Sequence, residues 1–129
     1  ARFYSVEFFG MCRRILSEGA TLATQASSPF FTPRTFWAIG RTMRQAGFFA
    51  VPCHGNVPSM GEWGFWIAAL GKLDVKSISI DVPVRFLSKD VLPSIFIFPP
   101  DVKIDDSEVL TLDNQKAVMI YNSEVRLFE

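Results

Sequence analysis

The sequence has few of the residues on which the commonest kinds of site depend. It contains one histidine, His54, and two cysteines, Cys12 and Cys53, whose spacing matches no zinc-binding motif. One pair of cysteines also forms no disulfide framework, so we predict two reduced thiols in the interior of a cytoplasmic domain. The glycines never occur as G-x-G, so no glycine-rich nucleotide-binding loop of that type is present.

Net charge and long apolar runs are absent as well. The 13 basic and 13 acidic residues leave a formal net charge of zero, which argues against a protein that binds nucleic acid by neutralising phosphates. No apolar run reaches membrane-spanning length and the N-terminus lacks a signal-peptide layout, so we predict a soluble domain. Hydrophobic residues make up 49% of the chain, which excludes disorder and favours one domain with a core.

The charge is unevenly distributed along the chain. Residues 1–73 carry a net charge of +4 and residues 74–129 carry −4. Two explanations stay open: the acidic tail docks onto the basic part, of this chain or of a second copy, or both surfaces are ordinary solvated faces.

The first 30 residues show helical and then strand patterns. Apolar residues recur with helical spacing at Tyr4, Phe8, Met11, Cys12 and Ile15. This pattern predicts an amphipathic helix closed by Gly19. Residues 20–24 are apolar and partly β-branched, which predicts a buried strand that ends at Gln25.

A second helix and a hairpin follow. Thr32 is the predicted N-cap, Pro33 the first helical residue and Gly47 the terminator, with a core stripe at Phe36, Ile39, Gly40 and Met43. Residues 48–52 and 63–70 predict two strands of a hairpin around a polar turn at 56–61. Alternation would place Trp63 and Phe65 on one face and Trp66 on the other.

The patterns after Gly71 are weaker. Ile78, Ile80 and Val82 alternate with polar residues up to Pro83, and Ser88 can cap a short helix over 89–98. An acidic loop covers 101–108. A last amphipathic stretch covers 114–127, with its apolar face at Ala117, Ile120, Tyr121 and Leu127.

Two strings of residues narrow the prediction from a general α/β domain to a particular family. They are TQASSPFF at 24–31, directly after a strand, and NVPSMGEWGF at 56–65. Together with Phe3-Tyr4-Ser5 they resemble the C-terminal third of the spermidine synthases, which are polyamine aminopropyltransferases. The likeness is to the bacterial branch whose synthase domain follows a membrane-embedded region, and the RFL string at 85–87 and Phe98-Pro99-x-Asp101 resemble the tail of that branch.

The resemblance implies an α/β fold: the C-terminal part of a Rossmann-like, methyltransferase-type sheet ending in an antiparallel strand pair, plus a partly helical tail. Residues 1–73 would form the end of the aminopropyltransferase domain and 74–129 a tail extension. The family's donor-binding loop and catalytic carboxylates would lie upstream. We therefore expect no catalytic residue, metal or cofactor in this chain, which would be inactive by itself.

The activity that the resemblance implies is transfer of an aminopropyl group from decarboxylated S-adenosylmethionine, the co-substrate, to putrescine or a related amine. The implied partners are a polyamine substrate, the upstream half of the same domain and further copies in a homo-oligomer, without nucleic acid. A membrane anchor upstream in the parent protein is left open. Two alternatives remain: a methyltransferase-like relative of the same fold, and a non-catalytic oligomerisation module.

Five residues are candidates for substrate binding: Gln25, Ser28, Pro58, Glu62 and Trp63. The carbonyl of Gln25 can accept from an ammonium group, although the side chain could instead tie the Ser-Ser-Pro turn. The face of Trp63 can attract alkylammonium ions, and the alternative is that Trp63 belongs to the core. Glu62 can bind a terminal ammonium or be solvated at the turn. Since the turn at 56–61 lacks the tyrosine of soluble synthases, the amine specificity stays open.

The single histidine has no recognisable catalytic partner. No serine or cysteine lies at a motif spacing from His54, and no acidic residue is near it in sequence. We predict a structural or surface role for it.

Overall fold

A computed structural model describes residues 2–105, 107–114 and 116–126. In these ranges, together with short 3-10 helices, three α-helices and a three-stranded sheet form the regular part. In chain order these are α1 (Val6–Ile15), β1 (Thr21–Gln25), α2 (Pro33–Gln45), β2 (Phe49–Val57), β3 (Gly61–Ala69) and α3 (Lys116–Val125). No helix in these ranges is both long and apolar enough to cross a membrane.

The sheet confirms the predicted antiparallel strand pair. Its order is β1-β3-β2, and β3 runs antiparallel to both neighbours. Strands β1 and β2 are therefore parallel to each other, joined by α2, with β3 inserted between them. The hairpin extends further than predicted, because Asn56 pairs with Glu62 and Val57 with Gly61, and only 58–60 form the turn.

Strand β1 is an edge strand, and the prediction that it is buried was wrong. Thr21, Ala23 and Gln25 are exposed. An apolar, β-branched pentapeptide is compatible with burial, but within the described part of the chain only β3 pairs with it.

Helix α1 is confirmed, but its predicted apolar face was partly wrong. The Ser5 hydroxyl caps it by accepting from the Phe8 amide at 3.1 Å, and it ends at Ile15, ahead of Gly19. Met11 and Ile15 are 57% and 85% exposed, whereas Phe9 is buried. Phe8 and Phe9 are both apolar, so spacing alone did not determine which side packs inward.

Helix α2 follows its predicted bounds and carries the centre of the core. Phe36, Ile39 and Met43 are buried, and Gly47 has the left-handed φ of +102° that a helix terminator needs. The predicted N-cap is only partly right. Thr32 occupies the cap position, but its side chain makes no capping hydrogen bond.

A carboxylate from the tail performs the missing capping function. Glu124 on α3 is buried, and its oxygens accept from the Arg34 and Thr35 amides at 2.8 Å each. The Thr35 hydroxyl also donates to it, at 2.7 Å. A negative group at this position satisfies two of the free N–H groups of the helix and interacts favourably with its dipole.

The tail packs against the first part of the chain. Phe98, Leu110 and Ile120 belong to the same core cluster as Phe36 and Trp66. Arg34 also forms an ion pair with Glu108 at 2.9 Å. The tail therefore docks onto the first part of the same chain, through apolar contacts and one ion pair between the basic and acidic parts.

Two tail predictions need correction. The alternating residues 78–82, to which no element was assigned, form no strand and are exposed. The helix predicted over 89–98 is a shorter 3-10 helix at Leu92–Phe96, since Pro93 limits its regularity; Ser88 does cap the preceding turn. On α3, Ile120 is buried but Tyr121 is 42% exposed, and Leu127 lies outside the described residues.

Candidate functional site

A cavity of about 290 Å³ lies at the carboxyl end of β1. We call it the Gln25 cavity. It is formed by residues from the segment before α1, the end of β1, α2, β3 and α3, namely Tyr4, Gln25, Ala26, Ser27, Thr35, Ile39, Trp63, Ala117, Val118 and Tyr121. The carboxyl end of a strand is the position where open α/β sheets bind their ligands.

Gln25 is the last residue of β1, and its amide side chain is available. The Tyr4 hydroxyl donates to its backbone carbonyl at 3.1 Å. The side chain is exposed and makes no hydrogen bond to any described residue. The alternative role of tying the turn belongs instead to Ser28, whose buried hydroxyl accepts from the Phe30 and Phe31 amides at 3.2 Å each.

Ser27 holds a strained backbone conformation beside Gln25. Its φ is +65°, a left-handed value that costs a non-glycine residue roughly 1–3 kcal/mol. Three contacts impose it: its carbonyl accepts from the Gly64 amide at 2.6 Å, its hydroxyl lies 2.9 Å from the Thr32 hydroxyl, and the Ala26 amide donates to the Gly64 carbonyl. Such strain is concentrated at ligand sites, where it fixes the position of neighbouring groups.

Trp63 forms a wall of the same cavity. The burial pattern of β3 confirms that Trp66 points to the opposite face from Trp63 and Phe65: Trp66 is fully buried against α2, while the other two are half-buried. The core role belongs to Trp66, whose Nε1 donates to the Phe36 carbonyl at 2.9 Å. The Trp63 Nε1 has no hydrogen-bond partner among the described residues.

A second cavity of about 280 Å³ adjoins the first, and we call it the Met60 cavity. It is lined by Ser27, Ser28, Phe31, Thr32, Met60, Trp63, Tyr121 and Val125. Ser27, Trp63 and Tyr121 line both cavities. Predicted residue Ser28 therefore borders the second cavity, while Gln25 borders the first.

The other two predicted residues lie at the hairpin. Pro58 is in the turn between β2 and β3, and neither Pro58 nor Glu62 lines the two cavities. The Glu62 carboxylate faces His54 Nδ1 at 2.7 Å, so it is not simply solvated. No acidic residue is near His54 in sequence, but the antiparallel pairing of β2 and β3 brings Glu62, eight positions away, beside it.

His54 has a structural environment, as predicted. Its Nε2 lies 2.6 Å from the Ile97 carbonyl, and its ring packs against Phe30 and Phe98. Both ring nitrogens face acceptor oxygens, so neither is available to a substrate. The contact links the hairpin to the tail.

Sequence reasoning missed the two tyrosines of the site. Tyr4 and Tyr121 were assigned only to helical apolar patterns, yet both line the Gln25 cavity. They are the only two tyrosines of the chain, and they are 117 positions apart. The one available signal was a phenol hydroxyl at a position that the helical pattern assigns to the apolar face. No neighbouring residue in the sequence related either tyrosine to Gln25.

The lining of the Gln25 cavity is neutral. It offers the Gln25 carbonyl, three kinds of hydroxyl and the aromatic faces of Trp63 and two tyrosines, without a carboxylate. An alkylammonium group would therefore be held by neutral acceptors and by ring faces. Within the described ranges, no group of His, Cys, Asp or Glu residues is arranged to hold a metal ion.

Comparison with known proteins gives the context of this site. The chain is 36% identical, over 124 residues, to polyamine aminopropyltransferase 2 of Ralstonia nicotianae; the match covers 95% of this chain and 24% of that protein. The spermidine synthase of Thermotoga maritima superposes with a TM-score of 0.64 at 20% identity, over 78% of this chain and 37% of that one. A spermidine synthase in complex with the transition-state analogue AdoDATO superposes equally well, with 20% identity and 78% and 38% coverage. No family model matches the chain.

The chain spans about a quarter of the length of the curated relatives that it matches. The structural likeness shows that it shares the Rossmann-like fold of spermidine synthases. By sequence and by fold, therefore, the chain matches the C-terminal portion of the polyamine aminopropyltransferases.

Proposed function

We propose that this chain forms the amine-binding wall of an aminopropyltransferase, which transfers an aminopropyl group from decarboxylated S-adenosylmethionine to putrescine or a related amine. In this reaction the amine nitrogen loses a proton and forms a C–N bond to the aminopropyl carbon, while the C–S bond to the donor sulfur breaks. The donor-binding and proton-accepting groups come from elsewhere in the parent protein, so the chain alone is inactive.

One observation carries this proposal: Gln25, at the carboxyl end of β1, and Trp63, on the neighbouring strand, share one cavity. The Gln25 carbonyl accepts a hydrogen bond from an ammonium group, and Trp63 packs against the methylene chain and attracts the cation. The strained turn at Ser27 fixes the end of β1, which holds the two side chains in a constant relation.

Ser28, Pro58 and Glu62 act less directly in this proposal. The Ser28 hydroxyl holds the turn beside Gln25, and Pro58 sets the end of the hairpin that carries Trp63. Glu62 holds the His54 ring in place, and in this arrangement we propose no contact between the Glu62 carboxylate and a substrate ammonium. These roles position the binding groups.

The organisation of the parent protein is proposed on the same basis. Residues 1–73 form the end of the Rossmann-like domain, and 74–129 form an extension packed onto it. The cytoplasmic location, a homo-oligomeric state and a membrane-embedded region upstream stay predictions.

The test is an aminopropyltransferase assay of the full-length parent protein with decarboxylated S-adenosylmethionine and a series of amines. A hydrogen bond to a charged group contributes about 1.5–3 kcal/mol, so Gln25→Ala should lower kcat/KM for the amine roughly tenfold to a hundredfold. Gln45→Ala is the matched control, because Gln45 is exposed at the end of α2 and should leave the rate unchanged. Absence of transfer to any diamine or polyamine by the unchanged protein would contradict the proposal.

A further inference from the structure

The Gln25 cavity does not end at Trp63. Three residues line it and the Met60 cavity alike: Ser27, Trp63 and Tyr121. They come from the turn after β1, from β3 and from α3, so the junction between the cavities depends on the tail helix. A ligand held at Gln25 and extending past this junction would enter the Met60 cavity.

The Met60 cavity has the chemistry of a site for methylene groups. Phe31, Met60 and Val125 give it an apolar lining. The hydroxyls of the turn are engaged there: Ser28 accepts from two backbone amides, the Thr32 hydroxyl donates to the Ser28 carbonyl at 2.9 Å, and the Ser27 and Thr32 hydroxyl oxygens lie 2.9 Å apart. Polar groups that are already satisfied leave mainly apolar contact for a ligand.

The far end of the Met60 cavity opens at the surface. Phe31 and Met60 are 51% and 54% exposed. A terminal ammonium group that reached this end would keep its hydration, while the methylenes behind it lay on the apolar walls. The cavity therefore suits a long linear chain with charged ends, and offers no buried counter-ion for a compact cation.

We propose that the Met60 cavity is a length-selective subsite that receives the distal segment of linear triamines and tetraamines, an inference that rests on the proposed function. A diamine fills the Gln25 cavity alone and does not reach Met60. Longer amines pass between Trp63 and Tyr121, and their internal secondary ammonium lies at this junction. The Tyr121 hydroxyl, which has no hydrogen-bond partner among the described residues, accepts from that ammonium.

The decisive variant is Met60→Lys in the full-length parent protein. A cation at the mouth of the cavity repels the distal ammonium of a longer amine and leaves a diamine out of reach. We expect kcat/KM for a triamine and a tetraamine to fall about tenfold, while the value for a diamine stays within about twofold. Met11→Lys is the matched control, because Met11 is 57% exposed on α1 and lines neither cavity.

A second pair of variants separates charge from space. Met60→Trp narrows the cavity without adding charge and should also penalise only the longer amines. Tyr121→Phe removes only the hydroxyl and should raise KM for triamines more than for diamines. Circular dichroism and thermal melting establish that each variant is folded.

The outcomes distinguish the two proposals. Three outcomes overturn the subsite and leave the proposed function intact. In Met60→Lys, these are equal losses of kcat/KM on short and long amines, or no loss on either. In the unchanged protein, it is transfer to a diamine but to no longer amine. If Gln25→Ala loses activity while Met60→Lys leaves the ratio of kcat/KM for long and short amines unchanged, the subsite is likewise overturned and the proposed function stands. Transfer to no amine at all contradicts the proposed function itself.

Discussion

Single atoms decide the packing between α2 and the sheet. Gly40 faces Trp66, and a Cβ at Gly40 would overlap the indole ring. Trp66 has no room to withdraw, since it is fully buried, stacks on Phe36 and donates its N–H to the Phe36 carbonyl. The glycine in the predicted core stripe is therefore required by the close approach of two elements.

Gly40→Ala should lower the free energy of unfolding by about 1–3 kcal/mol, because overpacking outweighs the gain in helix propensity. Gly10→Ala on α1 is the matched control: nothing lies within 4 Å of its new Cβ, so it should be neutral or stabilising by about 0.5–1 kcal/mol. Urea denaturation measures both values, and equal effects of the two substitutions would disprove the close contact.

Burial gives the two cysteines different reactivity. Desolvation raises the pKa of the Cys53 thiol from 9.0 to about 11, whereas Cys12 is partly exposed on α1. Since the thiolate is the reactive form, Cys12 should react with a maleimide in the folded protein and Cys53 only after unfolding.

The same pKa shift predicts a pH dependence of stability. In the unfolded chain the Cys53 thiol loses its proton as the pH passes 9, whereas in the folded chain it keeps it until about 11. The unfolded state is therefore favoured increasingly between these values, and the contribution of Cys53 is complete below pH 9 and lost by about pH 11. The stability of the unchanged chain should fall more steeply over this range than that of Cys53→Ala. Parallel curves would show that the thiol is not buried.

At the scale of the elements, α2 and α3 form one capped unit. The amides of Arg34 and Thr35 are satisfied by Glu124, which lies 90 and 89 positions away along the chain. The position of α3 in turn places Tyr121 at the junction of the two cavities. The cap thus couples the stability of the tail to the geometry of the site.

Glu124→Gln tests this unit. The amide keeps the shape but loses the charge and one acceptor, so the free energy of unfolding should fall by about 1–3 kcal/mol. Glu18→Gln serves as the control, since Glu18 is exposed in the loop after α1. Chemical denaturation followed by circular dichroism measures the difference. A loss no larger than that of the control would mean that α3 does not cap α2.

The bounds of α2 and the facing of β3 were predictable from the sequence, because patterns of neighbouring residues determine them. Pro33, Gly47 and the apolar spacing of α2 gave its bounds, and alternation in 63–70 assigned Trp66 to the opposite face from Trp63. The inward face of α1 was not predictable in this way, because Phe9 is selected by the neighbouring α2 and tail.

At the scale of the whole molecule, the exposed edge of β1 is the main liability. Its outer side pairs with no other strand in the described part of the chain, and its residues Thr21, Ala23 and Gln25 are exposed. Exposed Phe49, on the other edge strand, adds apolar surface. Unpaired strand edges recruit further strands.

We therefore expect the isolated chain to self-associate at micromolar concentration. Ala23→Lys places a charge on the edge strand and should shift the population toward monomer. Met119→Lys adds the same charge on an exposed position of α3 and should leave the association unchanged. Light scattering measures the mass of each variant, and a monodisperse monomer of the unchanged chain would be inconsistent with an open edge.

Local sequence patterns were enough to predict the identity and order of the main elements, the likeness to aminopropyltransferases and the place of Gln25 at a strand end. These features depend on neighbours within a few residues, or on short strings of residue types. Three contacts became visible only in the folded chain: Tyr4 and Tyr121 line one cavity with Gln25, Glu124 caps α2, and Glu62 pairs with His54. Each of these contacts joins separate elements: the pairing register of the hairpin selects the Glu62–His54 contact, and packing of the tail against α2 selects the others.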